Sequence, residues 1–554
     1  MTLRVAAERG AVDRPAESRT ATFVRNSITG SVWTIVSRAT GLAQSIAVAT
    51  VLGATYLGNT YQAINALPNI VYYQLLAGSL FASILVPPLV SKRSAGDTEG
   101  SKALAQGFYG TLLLAGTAFC LVLILAGPLI LRGLTLGVSD TATAAAQRRV
   151  GLLFLVLFVP QILLYVTAGT GGAVLNSFGK FALAAGAPAL ENLGMMATLI
   201  ACAVLFGTGT GLSNVTTPEV LLLGIGTTAS VGIHAAAEWL GARSVGIQLV
   251  PRPGWSDPEL RRILRRVVPT LCYTGLAASQ TVVALAIANR LAGGLVGFQL
   301  ALNFYFLPIA IVTWPIARSM LPQLSIMATR DEDQAFWDRL SGAVRLASFI
   351  VVPMAIGYVV LSVPIARAIA IGQLRVDGGE SLVAISLGAL AIGVVGETWF
   401  ILGTYAFYAR QNVRAPLRSM VVRVGVALAC MSISVLAHDL VILLALGLAM
   451  SVGSVAGSIH LWSRLRSPSR RQRVPLRHLL RTIGASLAMA VPAFITASRL
   501  SDRAAGNELG EIVAVLAAAV VGAATYLLVQ RAFGAPELDM LREGTDGTRR
   551  GWTT

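Results

Sequence analysis

Two arginines stand where a bilayer-spanning segment has no ordinary place for a cation. Arg38 lies midway along the apolar run 27–53, within Ser31-Val-Trp-Thr-Ile-Val-Ser-Arg38-Ala-Thr-Gly41, and Arg318 lies near one end of the run 294–326. A guanidinium in hydrocarbon costs about 2.5–3.5 kcal/mol even on the lenient insertion scale, so Arg38 is expected to face a watery cavity or an anion. Its planar fork of donors suits a phosphate or a carboxylate. Four further ionisable groups fall within apolar runs: Glu191, the pair His234 and Glu238 at i, i+4 on one helical face, and Glu397 in Gly393-Val-Val-Gly-Glu397-Thr-Trp-Phe400. Glu397 and Glu238 are the expected groups for charge balance or for relaying a coupling cation. The plainer alternatives stay open. Arg318 can snorkel to the membrane surface, Glu191 and Glu238 can pair with polar neighbours, and His234 can be a hydrogen-bonded core residue.

The elements that must hold these groups are membrane helices. Of the 554 residues 55% are hydrophobic and 12% charged, which describes a polytopic membrane protein rather than a soluble one. Fourteen apolar runs reach the roughly 20 residues that cross a bilayer, among them 27–53, 60–90 and 294–326. The expected organisation is a disordered cytoplasmic tail over 1–26, a lobe of six helices over 27–242 and a basic linker over 243–266. A second six-helix lobe over 267–462 follows, then a basic loop with two extra helices over 463–530, and a tail over 531–554.

The net charge of +17 does not indicate nucleic acid, because the basic residues alternate by loop. A basic residue in the first two turns of a span is counted with the preceding loop. On that count the odd-numbered loops hold only Arg132, Arg148, Arg149, Arg290, Arg367, Arg375, Arg499 and Arg503. Apart from Arg38 and Arg318, the rest of the 43 Lys and Arg residues lie in the two tails and the even loops. That asymmetry predicts both termini on the cytoplasmic side. Cys120, Cys202, Cys272 and Cys430 fall in apolar runs without CxxC spacing and read as small core residues, with no disulfide framework or zinc site indicated. There is no Walker A loop, HExxH or GxSxG, and no cofactor or catalytic constellation is implied; Gly207-Thr-Gly209-Thr-Gly211 reads as a flexible turn.

A faint repeat relates the second and eighth runs. Tyr61-Gln62, Leu67-Pro68 and Val86-Pro87 are echoed by Phe298-Gln299, Leu307-Pro308 and Leu321-Pro322. An offset of six spans gives both copies one orientation, as in two bundles related by an axis along the membrane normal with a site between them.

Three stretches then carry a resemblance. They are Ser37-Arg38-Ala-Thr-Gly41 with Leu67-Pro68-Asn69, Ala173-Val-Leu-Asn176-Ser-Phe-Gly-Lys180-Phe181 with Pro188 and Asn192, and Ala406-Phe-Tyr408-Ala-Arg410-Gln411 ending at Pro416. In these the chain resembles the MurJ/MviN lipid II flippases of the multidrug/oligosaccharidyl-lipid/polysaccharide exporter superfamily. The resemblance implies an all-α transporter of fourteen helices, two lobes about a central cavity, and alternating access for a polyprenyl-diphosphate-linked peptidoglycan precursor in the bacterial cytoplasmic membrane. It places Arg38 on an arginine of the family's cavity. Gln44 and Asn303 fall where the pattern has arginine, Asn59 where it has an acid, and Tyr72-Tyr73 where it has an arginine pair. With Asn69 and Gln299, these are the polar groups expected to meet the substrate beside Arg38 and Arg318. Each replaced cation removes a charge-assisted bond of about 1.5–3 kcal/mol.

A transporter of this kind implies membrane potential or a cation gradient as its energy source, and cell-wall synthesis proteins as partners of the two tails. Other readings remain: a flippase for another lipid-linked glycan, a drug or cation antiporter of the same superfamily, or a non-transporting scaffold in an envelope-synthesis complex. An arginine in the first helix disfavours organic cations.

Overall fold

A membrane interior offers no water to backbone N–H and C=O groups, so a chain that crosses it many times closes its hydrogen bonds within helices. The computed structural model describes residues 16–73, 81, 85–254, 258–465, 476–504 and 506–538, and no strand occurs among them. The first half contains α1 (Ala16–Leu52), α2 (Tyr56–Asn69), α3 (Val86–Ser94), α4 (Thr98–Leu134), α5 (Thr141–Phe158), α6 (Gln161–Ser177), α7 (Phe181–Phe206) and α8 (Thr217–Ser244). The second half contains α9 (Pro258–Ala288), α10 (Gly294–Pro308), α11 (Trp314–Thr329), α12 (Asp333–Val360), α13 (Ser362–Ile369), α14 (Gln373–Val376), α15 (Gly379–Ala409), α16 (Arg414–Ile433) and α17 (Val441–Arg464). The chain then adds α18 (Leu476–Ala504) and α19 (Glu508–Ala532).

Thirteen segments among the described residues are long and apolar enough to cross a membrane. Each matches one of the fourteen expected runs. The remaining run, 60–90, starts as α2 and ends in α3, and residues 74–80 and 82–84 lie outside the described residues. Apolar side chains such as Leu125, Leu129, Val204 and Leu516 project outward from these helices, where acyl chains take the place of a protein core. Helix starts carry polar caps. Asp97 accepts from the Gly100 N–H, and Asp140 from the Ala142 and Thr143 N–H groups. The Thr143 hydroxyl and those two N–H groups hold the Asp140 carboxyl below its ordinary range.

The repeat seen in the sequence has a structural counterpart. After Pro68 the helix widens into a π turn over 70–73, and after Pro308 into another over Ile309–Thr313. Proline has no N–H to give the preceding turn, and a widened turn is one way to absorb that loss. Within the first half α1 packs on α7, and α8 on α6 and α7; within the second half α15 packs on α10, α12 and α17. The two added helices pack on each other and on α12, where the Tyr526 hydroxyl donates to the Phe349 carbonyl at 2.7 Å.

Contacts between the halves gather at the end that carries the odd loops. Asn59 Nδ2 donates to the Leu291 carbonyl at 2.8 Å, and its Oδ1 accepts from the Leu295 and Val296 N–H groups at 3.1 and 3.4 Å. One amide in the first half thus caps α10 in the second. Gln147 and Asn289 exchange side-chain hydrogen bonds at 3.0 and 3.2 Å, Tyr56 donates to the Arg290 carbonyl, and Asp377 accepts from the Ala54 N–H at 3.0 Å. Two glycines permit this approach. Gly53 and Gly293 have φ of +69° and +68°, and a Cβ on them would lie 2.3 Å from Asp377 and 2.4 Å from Ala54. The halves are latched at this end.

Two expectations change. α1 begins at Ala16, so the expected tail over 1–26 is helical from there; Ala16-Glu17-Ser18-Arg19 favours helix, and polar composition does not stop a helix outside the membrane. Cys272 is exposed and Cys430 only part-buried, while Cys120 and Cys202 are buried; in a membrane protein an apolar run does not imply a protein-facing side chain. Asn59→Ala leaves two buried N–H groups of α10 without an acceptor. It is expected to destabilise the latch by about 1–3 kcal/mol, seen as a lower thermal midpoint.

Candidate functional site

Between the halves lies a cavity of about 710 Å³ whose walls come from α1, α2 and α7 on one side and α9, α10, α11, α15, α16 and α17 on the other. Of the expected site residues, Arg38, Gln44, Asn69, Gln299, Asn303 and Glu397 line it. Arg38 projects into the open space and has no carboxylate within 4.0 Å among the described residues. Its guanidinium carbon lies 5.9 Å from the centre of the Trp314 ring, which also lines the cavity. Arg318 is not a lining residue, yet its guanidinium lies 6.0 Å from the same ring. One indole therefore holds a cation from each half.

The amides face the cavity in different states. Asn303 donates to the Ser45 hydroxyl at 2.9 Å, joining α10 to α1. Gln299 Oε1, Asn65 Oδ1 and both polar atoms of the Gln280 side chain are buried without a hydrogen-bond partner. Unpaired buried amides are costly, and their convergence on one chamber suits a polar occupant.

Three expected residues sit elsewhere. Asn59 belongs to the latch. Tyr72 turns away from the cavity and stacks on Tyr165, with ring centres 4.4 Å apart and planes 8° from parallel, while its neighbour Tyr73 takes the lining position. Glu238 is buried behind the cavity wall in a connected polar cluster. There His234 Nδ1 is 2.7 Å from Glu191 Oε2, and Nε2 is 3.6 Å from Glu238 Oε1. The Tyr165 hydroxyl donates to Glu191 Oε1 at 2.7 Å and lies 2.9 Å from Asn69 Oδ1. Glu191 and Asn69 reach the cavity, so the cluster touches it at one edge. The i, i+4 spacing of His234 and Glu238 was readable in the sequence; their partners on α6 and α7 were not. Gly171 and Gly172 make room on α6, because a Cβ there would lie 2.8 and 2.7 Å from Glu238 atoms.

Arg423 is the residue that sequence reasoning missed. Counted with an even loop by the two-turn rule, it is buried on α16 and lines the cavity. Its Nη1 lies 2.6 Å from Glu397 Oε2 and 2.8 Å from Oε1. Tyr305 and Ser454 each donate to Glu397 Oε2 at 3.3 Å. The available signal was Val421-Val422-Arg423-Val424, a cation flanked by apolar residues as Arg38 is. No group of metal-ligating side chains occurs among the described residues. The site thus offers one open guanidinium, one paired guanidinium, a ring of amides and aromatic surface. That set of groups can receive an anion with polar substituents.

A family model described as lipid II flippase MurJ matches residues 48–528. A probable lipid II flippase MurJ of Vibrio cholerae is 24% identical over 405 residues, covering 72% of this chain and 74% of its own length. The lipid II flippase MurJ of Burkholderia cenocepacia is 23% identical over 480 residues, covering 84% and 88%. A solved structure of lipid II flippase MurJ in an inward closed conformation superposes with a TM-score of 0.71 at 18% identity, over 91% of this chain and 98% of that one. At that identity the likeness shows the fold. Within the buried cluster, Glu191→Ala strands His234 Nδ1 and leaves the Tyr165 hydroxyl only Asn69 Oδ1, whereas Glu191→Gln keeps a partner for both. The alanine variant is expected to lose about 1–3 kcal/mol more, read as the larger fall in thermal midpoint in detergent.

Proposed function

The chain belongs to the lipid II flippase MurJ family, and we propose that it moves lipid II, a polyprenyl-diphosphate-linked cell-wall precursor, from the inner to the outer leaflet of the cytoplasmic membrane. The observation that carries this reading is Arg38, open to a polar chamber between two helical halves and without a carboxylate partner among the described residues. A diphosphate brings charge to a place where a lone cation is otherwise unfavourable, and guanidinium binds it through paired hydrogen bonds. The amides and aromatic rings of the cavity then contact the sugars and the peptide, while the polyprenyl tail remains in the bilayer.

Transport requires the chamber to open to each side in turn. The basic loops put both termini and the even loops in the cytoplasm. On that orientation the latch of Asn59, Gln147, Asn289 and Asp377 closes the outward end, and loading takes place from the cytoplasmic side. Reopening outward requires the latch to break and the halves to meet at the even loops. The protein is a carrier and catalyses no bond change. Its energy comes from membrane potential or a cation gradient, worth about 2.3 kcal/mol per charge per 100 mV, with Glu397 and Glu238 as the groups that balance or relay charge. The tails are the surfaces available to cell-wall synthesis proteins.

Arg38→Ala is expected to reduce translocation by about tenfold or more, the worth of one charge-assisted contact, with Arg38→Lys between it and the native chain. The check is complementation of a strain depleted of its own lipid II flippase, with membrane abundance measured in parallel. Loss of growth at normal abundance fits the carrier; full growth with Arg38→Ala fits a scaffold instead.

A further inference from the structure

The pair formed by Arg423 and Glu397 is oddly built for a purely structural ion pair. Both carboxylate oxygens crowd onto the single nitrogen Nη1, at 2.6 and 2.8 Å, and the buried Nε has no partner. A guanidinium has five donors in a fixed fork, and a carboxylate that used the fork would take two nitrogens. The cation is held in place by other means. Its carbon lies 5.4 Å from the centre of the Phe400 ring, and Gly457 of α17 leaves room for its stem, where a Cβ would come within 2.5 Å of Arg423 Cβ. The carboxylate has somewhere else to go, since the Tyr305 and Ser454 hydroxyls already reach its Oε2 at 3.3 Å. Both members of the pair line the chamber that Arg38 faces from the other half.

We propose that Arg423 is a second diphosphate-binding group, held in reserve by Glu397. It rests on the carrier reading above and deepens it. A diphosphate esterified at both ends carries two negative charges, one on each phosphorus. Arg38 answers one of them from the first half, and Arg423 answers the other from the second. The arriving phosphate takes the Arg423 fork, and Glu397 moves onto the Tyr305 and Ser454 hydroxyls. No bond is made or broken and no proton need be transferred. An empty carrier keeps its inner cation neutralised, so the chamber presents one strong anion site until a ligand with two charges spans the lobes. Monoanionic lipids, able to satisfy only Arg38, are selected against by the cost of displacing Glu397.

The test measures binding of lipid II, whose diphosphate is esterified at both ends, to the full-length protein in detergent micelles, for the native chain, E397Q, R423Q, the double variant E397Q/R423Q and R38A. Removing the competing charge in E397Q is expected to tighten binding about tenfold, and R423Q to weaken it about tenfold. The double variant is expected to lose the whole gain of E397Q. It replaces a buried ion pair with two neutral amides, so it carries the comparison if R423Q alone does not fold. Phosphatidylglycerol, a phosphodiester with a single charge, is expected to gain less than twofold from E397Q. Inorganic pyrophosphate that competes with the same rank order shows recognition of the diphosphate itself; pyrophosphate that fails to compete assigns the site to the lipid-borne headgroup. An E397Q affinity within twofold of native, or a gain that survives removal of Arg423, overturns the proposal. If R38A abolishes binding while the Arg423 series is flat, the carrier reading stands and this inference fails. If the native chain binds no lipid diphosphate, both fail.

Discussion

Charge placed in a low-dielectric interior must be solvated by something, and the architecture follows from how this chain does it. Arg38 is solvated by an open chamber and Arg423 by Glu397. A buried charge left without such a partner costs several kcal/mol. Arg38 is therefore compatible with the membrane only where the two halves leave a polar chamber beside it. The latch at the odd loops and the chamber beneath it are two aspects of one arrangement.

Apart from the Asp377 carboxylate, the meeting end is built from neutral groups. Asn59, Gln147 and Asn289 exchange hydrogen bonds that water can replace, and Gly53 and Gly293 let the backbones approach. Amide contacts of this kind contribute about 0.5–1.5 kcal/mol net each, strong enough together to hold a state and weak enough to release it. The π turns after Pro68 and Pro308 lie in corresponding helices of the two halves. Helices already widened there have fewer ideal hydrogen bonds to lose on bending.

Much of this was legible in the chain. Apolar run length placed the helices, because the bilayer sets that length, and the isolated charge at Arg38 marked the chamber. The i, i+4 pair on α8 marked the buried cluster. What sequence could not supply was the direction in which a side chain points. Asn59 and Asn303 are both amides in apolar helices, yet one caps α10 and the other faces the cavity. Tyr72 and Tyr73 are adjacent, and helical geometry sends one inward to Tyr165 and the other to the chamber. Arg423 was counted with a loop because it lies within the first two turns of its span; the packing of Gly453 and Gly457 against α16, which holds it inward instead, is a property of two helices together.

The central claim is that the chamber carries a lipid-linked diphosphate across the bilayer. It is tested most directly by reconstituting the full-length chain in liposomes with fluorescent lipid II and following access of a membrane-impermeant quencher under an imposed membrane potential. Protein-dependent exchange of lipid II between leaflets, faster than for polyprenyl-linked sugars lacking the peptide, is the predicted result. Exchange no faster than in protein-free liposomes, with the protein folded and inserted, would contradict it.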